Sequence, residues 1–135
     1  MVAYSFNPRF AAAIKAGLKC QTIRAARKRH ARPGEALQLF TGMRTRHCRR
    51  ILPDQTCTTV MSIEIAFRFD GRITGITTDG VPVRNLNGFA LRDGFNGIED
   101  MSAFWAAAHP EAGPRVWHGV LIEWADPAYV RRAVA

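Results

Sequence analysis

Lys19, Thr22 and Arg24 fall within six residues of one another, just after the glycine at position 17. Together these residue types can activate a nucleophile and hold a carbonyl or phosphate. A lysine at a corner between a helix and a strand can be partly enclosed, and burial lowers its pKa toward that of a base. A threonine hydroxyl beside it can attack, or orient a water. Arg24 offers a planar fork that fixes a phosphate or a carbonyl oxygen. The spacing sets a condition. In a regular strand residues 19 and 22 point to opposite faces, whereas 22 and 24 share one. Lys19 therefore joins Thr22 only if it lies in the connection after Gly17, ahead of the strand. Taken alone, the pattern equally fits three exposed polar residues on an edge strand.

Asp93 is the acid that could complete such a site. In a helix over residues 85–93, Leu86, Phe89 and Ala90 form the inward stripe, and Asp93 is its next position. A carboxylate facing inward needs a cation or a role. Lys19 or Arg24 would serve. The competing reading is that Asp93-Gly94 is simply a turn.

The elements that must position these residues are legible in outline. "VAYSF" reads as a strand, followed by a helix with Asn7 as N-cap, Pro8 at its first position and Phe6, Phe10 and Ile14 as its stripe. Gly17 suits the left-handed residue that ends it. Residues 19–24 then form a short strand, 25–34 a basic loop and "EALQLF" a strand, with a turn at Thr41-Gly42. Residues 57–69 alternate with period two, placing Met61, Ile63, Ile65, Phe67 and Phe69 on one face. Asp70-Gly71 and Asp79-Gly80 read as hairpin turns that make "RITGIT" and "VPV" short strands. A helix capped by Asn85 and ended by Gly94 comes next, then a second helix over 97–109 stopped before Pro110. "VWHGVLIEW" closes as a strand with Val116, Val120, Ile122 and Trp124 on one face. The residues beyond it read as a tail or a short helix. This order predicts an α+β fold, with a curved or closed sheet carrying helices to one side.

At 135 residues, 47% hydrophobic and 22% charged, the chain suits one folded domain over 1–135. No apolar run is long enough for a membrane-spanning helix. The start lacks the charged-then-apolar pattern of a secretory signal. Cys20, Cys48 and Cys57 make an odd count, which favours free thiols in a cytoplasmic setting. The nine-residue spacing of Cys48 and Cys57 beside His47 matches no common zinc pattern, so neither metal nor other cofactor is expected. His118, alternating with valines, reads as a core histidine, and the three tryptophans as core residues.

Charge is the strongest partner signal. Residues 1–53 hold twelve Lys/Arg and one acid, a net of +11, whereas residues 54–135 hold seven and ten, a net of −3. Such asymmetry points to a polyanion, most simply nucleic acid. Arg27, Lys28 and Arg29, with Arg44 and Arg46, are the expected phosphate contacts. His30 or His47 with these arginines could also cleave RNA at a ribose 2′-hydroxyl, although no spacing compels it.

These stretches together resemble the ASCH family of the PUA-like superfamily. The resemblance rests on "SFNPRFAAAIKAGLKCQTIR", "RPGEALQLFTGMRT", "FALRDGF" and "VWHGVLIEW", which cover most of the chain in family order. It implies a PUA-like antiparallel β-barrel with flanking short helices and a cleft lined by Lys19 and Arg24. One enzymatic branch hydrolyses the N4-acyl amide of modified cytidines through a lysine, a threonine three residues on and a downstream glutamate. Lys19 and Thr22 match the first two. Asp93 falls at the third, one methylene shorter. The resemblance thus implies Lys19, Thr22 and Asp93 as catalytic residues, Arg24 as a substrate contact in the cleft wall, and RNA or a modified nucleoside as partner. Other members are proposed to bind RNA without catalysis, or to cleave it.

Overall fold

In the computed structural model, which describes residues 1–110 and 114–124, Val2, Tyr4 and Phe6 turn inward along the first strand, β1 (Val2–Phe6). Asn7 caps the next segment through its side chain, which accepts from the Arg9 N–H, and Pro8 opens a 3-10 turn, Pro8–Phe10. That turn runs into α1 (Ala11–Lys15). β2 (Gln21–Arg24), β3 (Ala36–Thr41), β4 (Arg49–Arg50) and the long β5 (Gln55–Phe67) follow. Then come β6 (Ile73–Thr78), β7 (Val81–Pro82), α2 (Leu86–Arg92), α3 (Ile98–Ala108) and β8 (Arg115–Trp124).

The chain packs as two compact units interleaved along the sequence. The first comprises Met1–Thr22, Arg27–Val60 and the described residues from Ile122; the second comprises Ile23–Ala26 and Met61–Leu121. In the first unit β1 and β3 pair in parallel, from Val2 with Leu37 to Phe6 with Thr41. β4 and the start of β5 lie antiparallel to opposite ends of β3. Tyr4, Phe6, Phe10, Ile14, Leu37 and Leu39 fill this core, and Trp124 meets the Phe6 ring edge-on at 6.1 Å. In the second unit β5, β6 and β7 form an antiparallel meander. Asp79 and Gly80 both have positive φ, as the two-residue β6–β7 turn requires. Ile63, Ile65, Ile73, Ile76, Phe89 and Met101 are its main buried side chains.

The mixed α+β class is observed, but the closed antiparallel barrel is not. The sheet has eight strands in an open path β1-β3-β5-β6-β7, with β4 attached to β3, and β8 to β2 and β5. Closure needs the two edge strands to pair. Here the path ends at β1, whose parallel partner is β3, and at β7, two residues long and ending at Pro82, which has no N–H to donate, and the branch through β8 ends at β2.

Three local expectations are also corrected. The inward face of β5 stops at Phe67, because the strand ends there, and Phe69 lies 74% exposed in the turn. In β8, Val116 is exposed, while Leu121 and Ile122 are both buried, so the end of the strand is covered on two faces. His118 is an exposed residue whose Nδ1 lies 3.6 Å from the Glu64 carboxylate. The tail expected after residue 124 lies outside the described residues.

Candidate functional site

The same helix-ending device places two of the residues expected to do chemistry, Lys19 and Asp93. At the end of α1, Gly17 has φ 75, its N–H donates to the Ile14 carbonyl, and the Leu18 N–H donates to Ala13. This is a Schellman cap. The next N–H, that of Lys19, also donates to the Ala13 carbonyl, at 3.1 Å. Lys19 is therefore fixed in the connection before β2, as its joining Thr22 requires. Its side chain is 3% exposed, with the ammonium 4.9 Å from the Phe10 ring centroid and 5.7 Å from that of Phe6. Such contacts favour a cation over an aromatic face. Gln21 and Thr22 follow, both buried, so β2 is covered on two faces here.

α2 ends in the same way. Asp93 is the C-cap, Gly94 has φ 95, and the Gly94 and Phe95 N–H groups donate to Leu91 and Ala90. Phe89 and Ala90 are buried and Asp93 is 4% exposed, so the inward stripe extends to the acid. A carboxylate at a helix C-terminus faces the negative end of the helix dipole, and burial adds to that cost. Among the described residues no fully buried side-chain nitrogen or oxygen lacks a hydrogen-bond partner.

Lys19 and Thr22 belong to the first unit; Arg24, half-buried, and Asp93 belong to the second. Arg27, Lys28, Arg29, Arg44 and Arg46 are all exposed and all in the first unit. The described residues of that unit hold eleven Lys/Arg against three acids, a net of +8; those of the second hold six of each. The charge asymmetry of the sequence is thus an asymmetry between units.

The basic loop 25–35 is braced by residues its sequence did not single out. The Tyr4 hydroxyl, on a side chain 1% exposed, accepts from the Ala31 N–H at 3.1 Å and lies 3.0 Å from His30 Nδ1. The His30 ring stacks on that of Tyr4, and the Arg27 guanidinium sits 4.7 Å from the Tyr4 ring centroid. His30, one of two histidines considered for RNA cleavage, is therefore engaged in the loop's own structure. Glu35 pairs with Arg29 and with the Met1 amine, and its carboxyl is held below the usual range, first by the amine and then by the Arg32 N–H. The signal available in the sequence was that Glu35 is the only acid among twelve cations.

Cys57 is buried and burial pushes its thiol up. Cys20 is half-buried and Cys48 exposed; none of the three cysteines is in a disulfide. Among the described residues no three metal-ligating side chains cluster, and no helix is long and apolar enough to cross a membrane.

A depression of about 210 Å³ in the second unit is lined by Arg68, Asp70, Gly71, Arg72, Glu99 and Ser102, with Ala103 and Ala106. Arg68 pairs with Asp70 and Arg72 with Glu99. The Ser102 hydroxyl donates to Ile98 and accepts from the Ile73 N–H. Its polar groups thus satisfy one another, and none of the sequence-predicted residues lines it. Compared with known family models, curated proteins and solved structures, the chain matches none.

Proposed function

We propose that this chain is an RNA-binding protein of the ASCH type whose first unit holds the phosphate backbone. The observation that carries this reading is the +8 charge of the first unit beside a neutral second one. Among the described residues no carboxylate pairs with the side chain of Lys28, Arg32, Arg44, Arg46 or Arg49. Unpaired cations concentrated on one unit attract a polyanion and release its counterions on contact. Titration of a short, labelled, unstructured single-stranded RNA tests the reading. Saturable binding at low salt is the expected result, and its absence contradicts the proposal.

A second reading is hydrolysis of N4-acylated cytidine. It is favoured by one observation: Lys19, Thr22 and Asp93 are three of the five buried polar or charged residues described, beside Gln21 and Ser102. In this scheme the Lys19 amine takes a proton from the Thr22 hydroxyl or from a water. The oxygen then bonds to the exocyclic acyl carbon, with the Arg24 guanidinium as the proposed oxyanion contact. The C–N bond breaks and the cytosine amine takes up the proton. With water as nucleophile the products are cytidine and the free acid; with Thr22, an acyl-enzyme forms first and water releases the acid. Asp93, at the acidic position the resemblance marks, is proposed to orient the amine or shuttle the proton. Release of cytidine from N4-acetylcytidine tests this. Lys19→Ala should abolish it, and Asp93→Glu, which restores the methylene, should raise the rate.

A further inference from the structure

Two basic loops flank β3, and their cations differ in what they already do. In the loop over 25–35, Arg29 pairs with Glu35, and Arg27 donates its Nε to the Arg29 carbonyl while lying over Tyr4, so two of its four cations are engaged and the side chains of Lys28 and Arg32 meet no carboxylate among the described residues. In the segment over 42–50, a loop that ends in β4, Arg50 pairs with Asp54. Arg44, Arg46 and Arg49 are exposed and meet no carboxylate among the described residues.

The backbone of the second loop is braced and strained at one point. The Thr45 N–H donates to the Gly42 carbonyl, closing a turn whose central residues are Met43 and Arg44. Arg44 has φ 68 and Met43 does not have positive φ. That sign pattern is a type II turn, whose third position is normally glycine. An arginine there carries the steric cost of left-handed backbone. The other non-glycine residue of positive φ described, Asp79, sits in a hairpin turn where aspartate is an ordinary occupant. Gly42 itself, at φ 64, has no room for a side chain, since a Cβ would lie 2.7 Å from the His47 carbonyl oxygen. The Thr45 hydroxyl donates to Gly42 and accepts from the His47 N–H, and the Met43 N–H donates to Ser5 Oγ.

We propose that residues 42–49 form a preshaped clip for the sugar–phosphate backbone of a single RNA strand, gripped by Arg44, Arg46 and Arg49. The inference rests on the RNA-binding reading and ranks the surfaces within it: this loop, more than the denser-looking cluster at 27–29, makes the phosphate contacts. An unpaired guanidinium on braced backbone loses less freedom on binding than one on a mobile loop. Its charge-assisted bonds to phosphate are the strong kind.

Arg44→Gly separates this from a purely structural role, because the two readouts move in opposite senses. Glycine relieves the left-handed strain, so the variant should melt no earlier than the parent. It also removes a phosphate contact, so affinity for the short single-stranded RNA should fall about tenfold. The slope of log K against log salt should flatten by about 0.7. Replacing Arg44, Arg46 and Arg49 together by alanine should flatten it by about 2, while Arg27→Ala with Lys28→Ala should change it by far less than the roughly 1.4 that two phosphate contacts would give. If the parent binds RNA and the Arg44→Gly and triple variants bind as tightly, with unchanged slope, the clip is wrong and the broader reading stands. If the parent shows no salt-dependent RNA binding, both fall.

Discussion

The Lys19 ammonium lies over the Phe10 ring, 4.9 Å from its centroid, on a side chain almost wholly removed from solvent. The stem packs and the head meets an aromatic face, so the residue serves the fold whatever else it does. Lys19→Ala should destabilise the protein by about 1–3 kcal/mol. Lys19→Met, which keeps the stem, should cost less. Urea unfolding of the two variants measures this, and equal stability of Lys19→Ala and the parent would contradict the packing described.

Tyr4 anchors the basic loop through its hydroxyl. Tyr4→Phe leaves the ring in place and removes the acceptor of the buried Ala31 N–H. A buried donor left without a partner costs about 1–3 kcal/mol. The expected signs are faster hydrogen exchange at Ala31 and earlier tryptic cleavage after Arg27 and Arg29. Unchanged protection at Ala31 would show that another group holds the loop.

Gly119 sits under the Trp117 ring. A Cβ there would lie 2.1 Å from that ring and 2.6 Å from the Arg24 carbonyl oxygen. The ring can swing away, but the carbonyl belongs to β2. Gly119→Ala should therefore shift the strand as well as the tryptophan, at a cost of about 1–3 kcal/mol. Tryptophan fluorescence and the melting temperature report it together; a variant with parental values in both would refute the close approach.

Acid should weaken the fold through its paired carboxylates. Asp70 is held down to about 2 from its ordinary 3.8, first by the hydrogen bond from Arg68 and then by the Arg72 N–H. Glu35 is lowered as well. A depressed folded-state pKa means that the unfolded chain binds more protons in the window between the two values. The stabilisation is complete above the unfolded pKa and is lost as pH falls through the folded one, so for Asp70 it fades between about pH 4 and 2. Asp70 is exposed, which keeps the effect small and sensitive to salt. Asp70→Asn should flatten that limb of the stability curve at low ionic strength.

Local chemistry was legible in the sequence, and long-range pairing was not. β1 runs over the five residues expected, and both Asp-Gly turns form, because alternation and turn residues act over a few positions. Gly17 and Gly94 end their helices for the same reason, and that fixed the placement of Lys19 and Asp93. The open path of the sheet depends on a parallel β1–β3 pair separated by α1, β2 and a loop, which period-two patterning does not encode. β4 hid inside an arginine cluster that reads as loop, since Arg49 and Arg50 pair through their backbones with Thr41 and Phe40. His118 shows the limit of alternation: apolar neighbours did not make its face a buried one. The neutralisation of Arg29 by Glu35 was equally hidden, since five residues of loop lie between them.

The salt dependence of RNA binding tests the central claim most directly. With the first unit as the phosphate-binding surface, log K for a short single-stranded RNA should fall against log salt with a slope of about −2 or steeper, as three or more phosphates are neutralised. A flat response, or no binding at low salt, would contradict it.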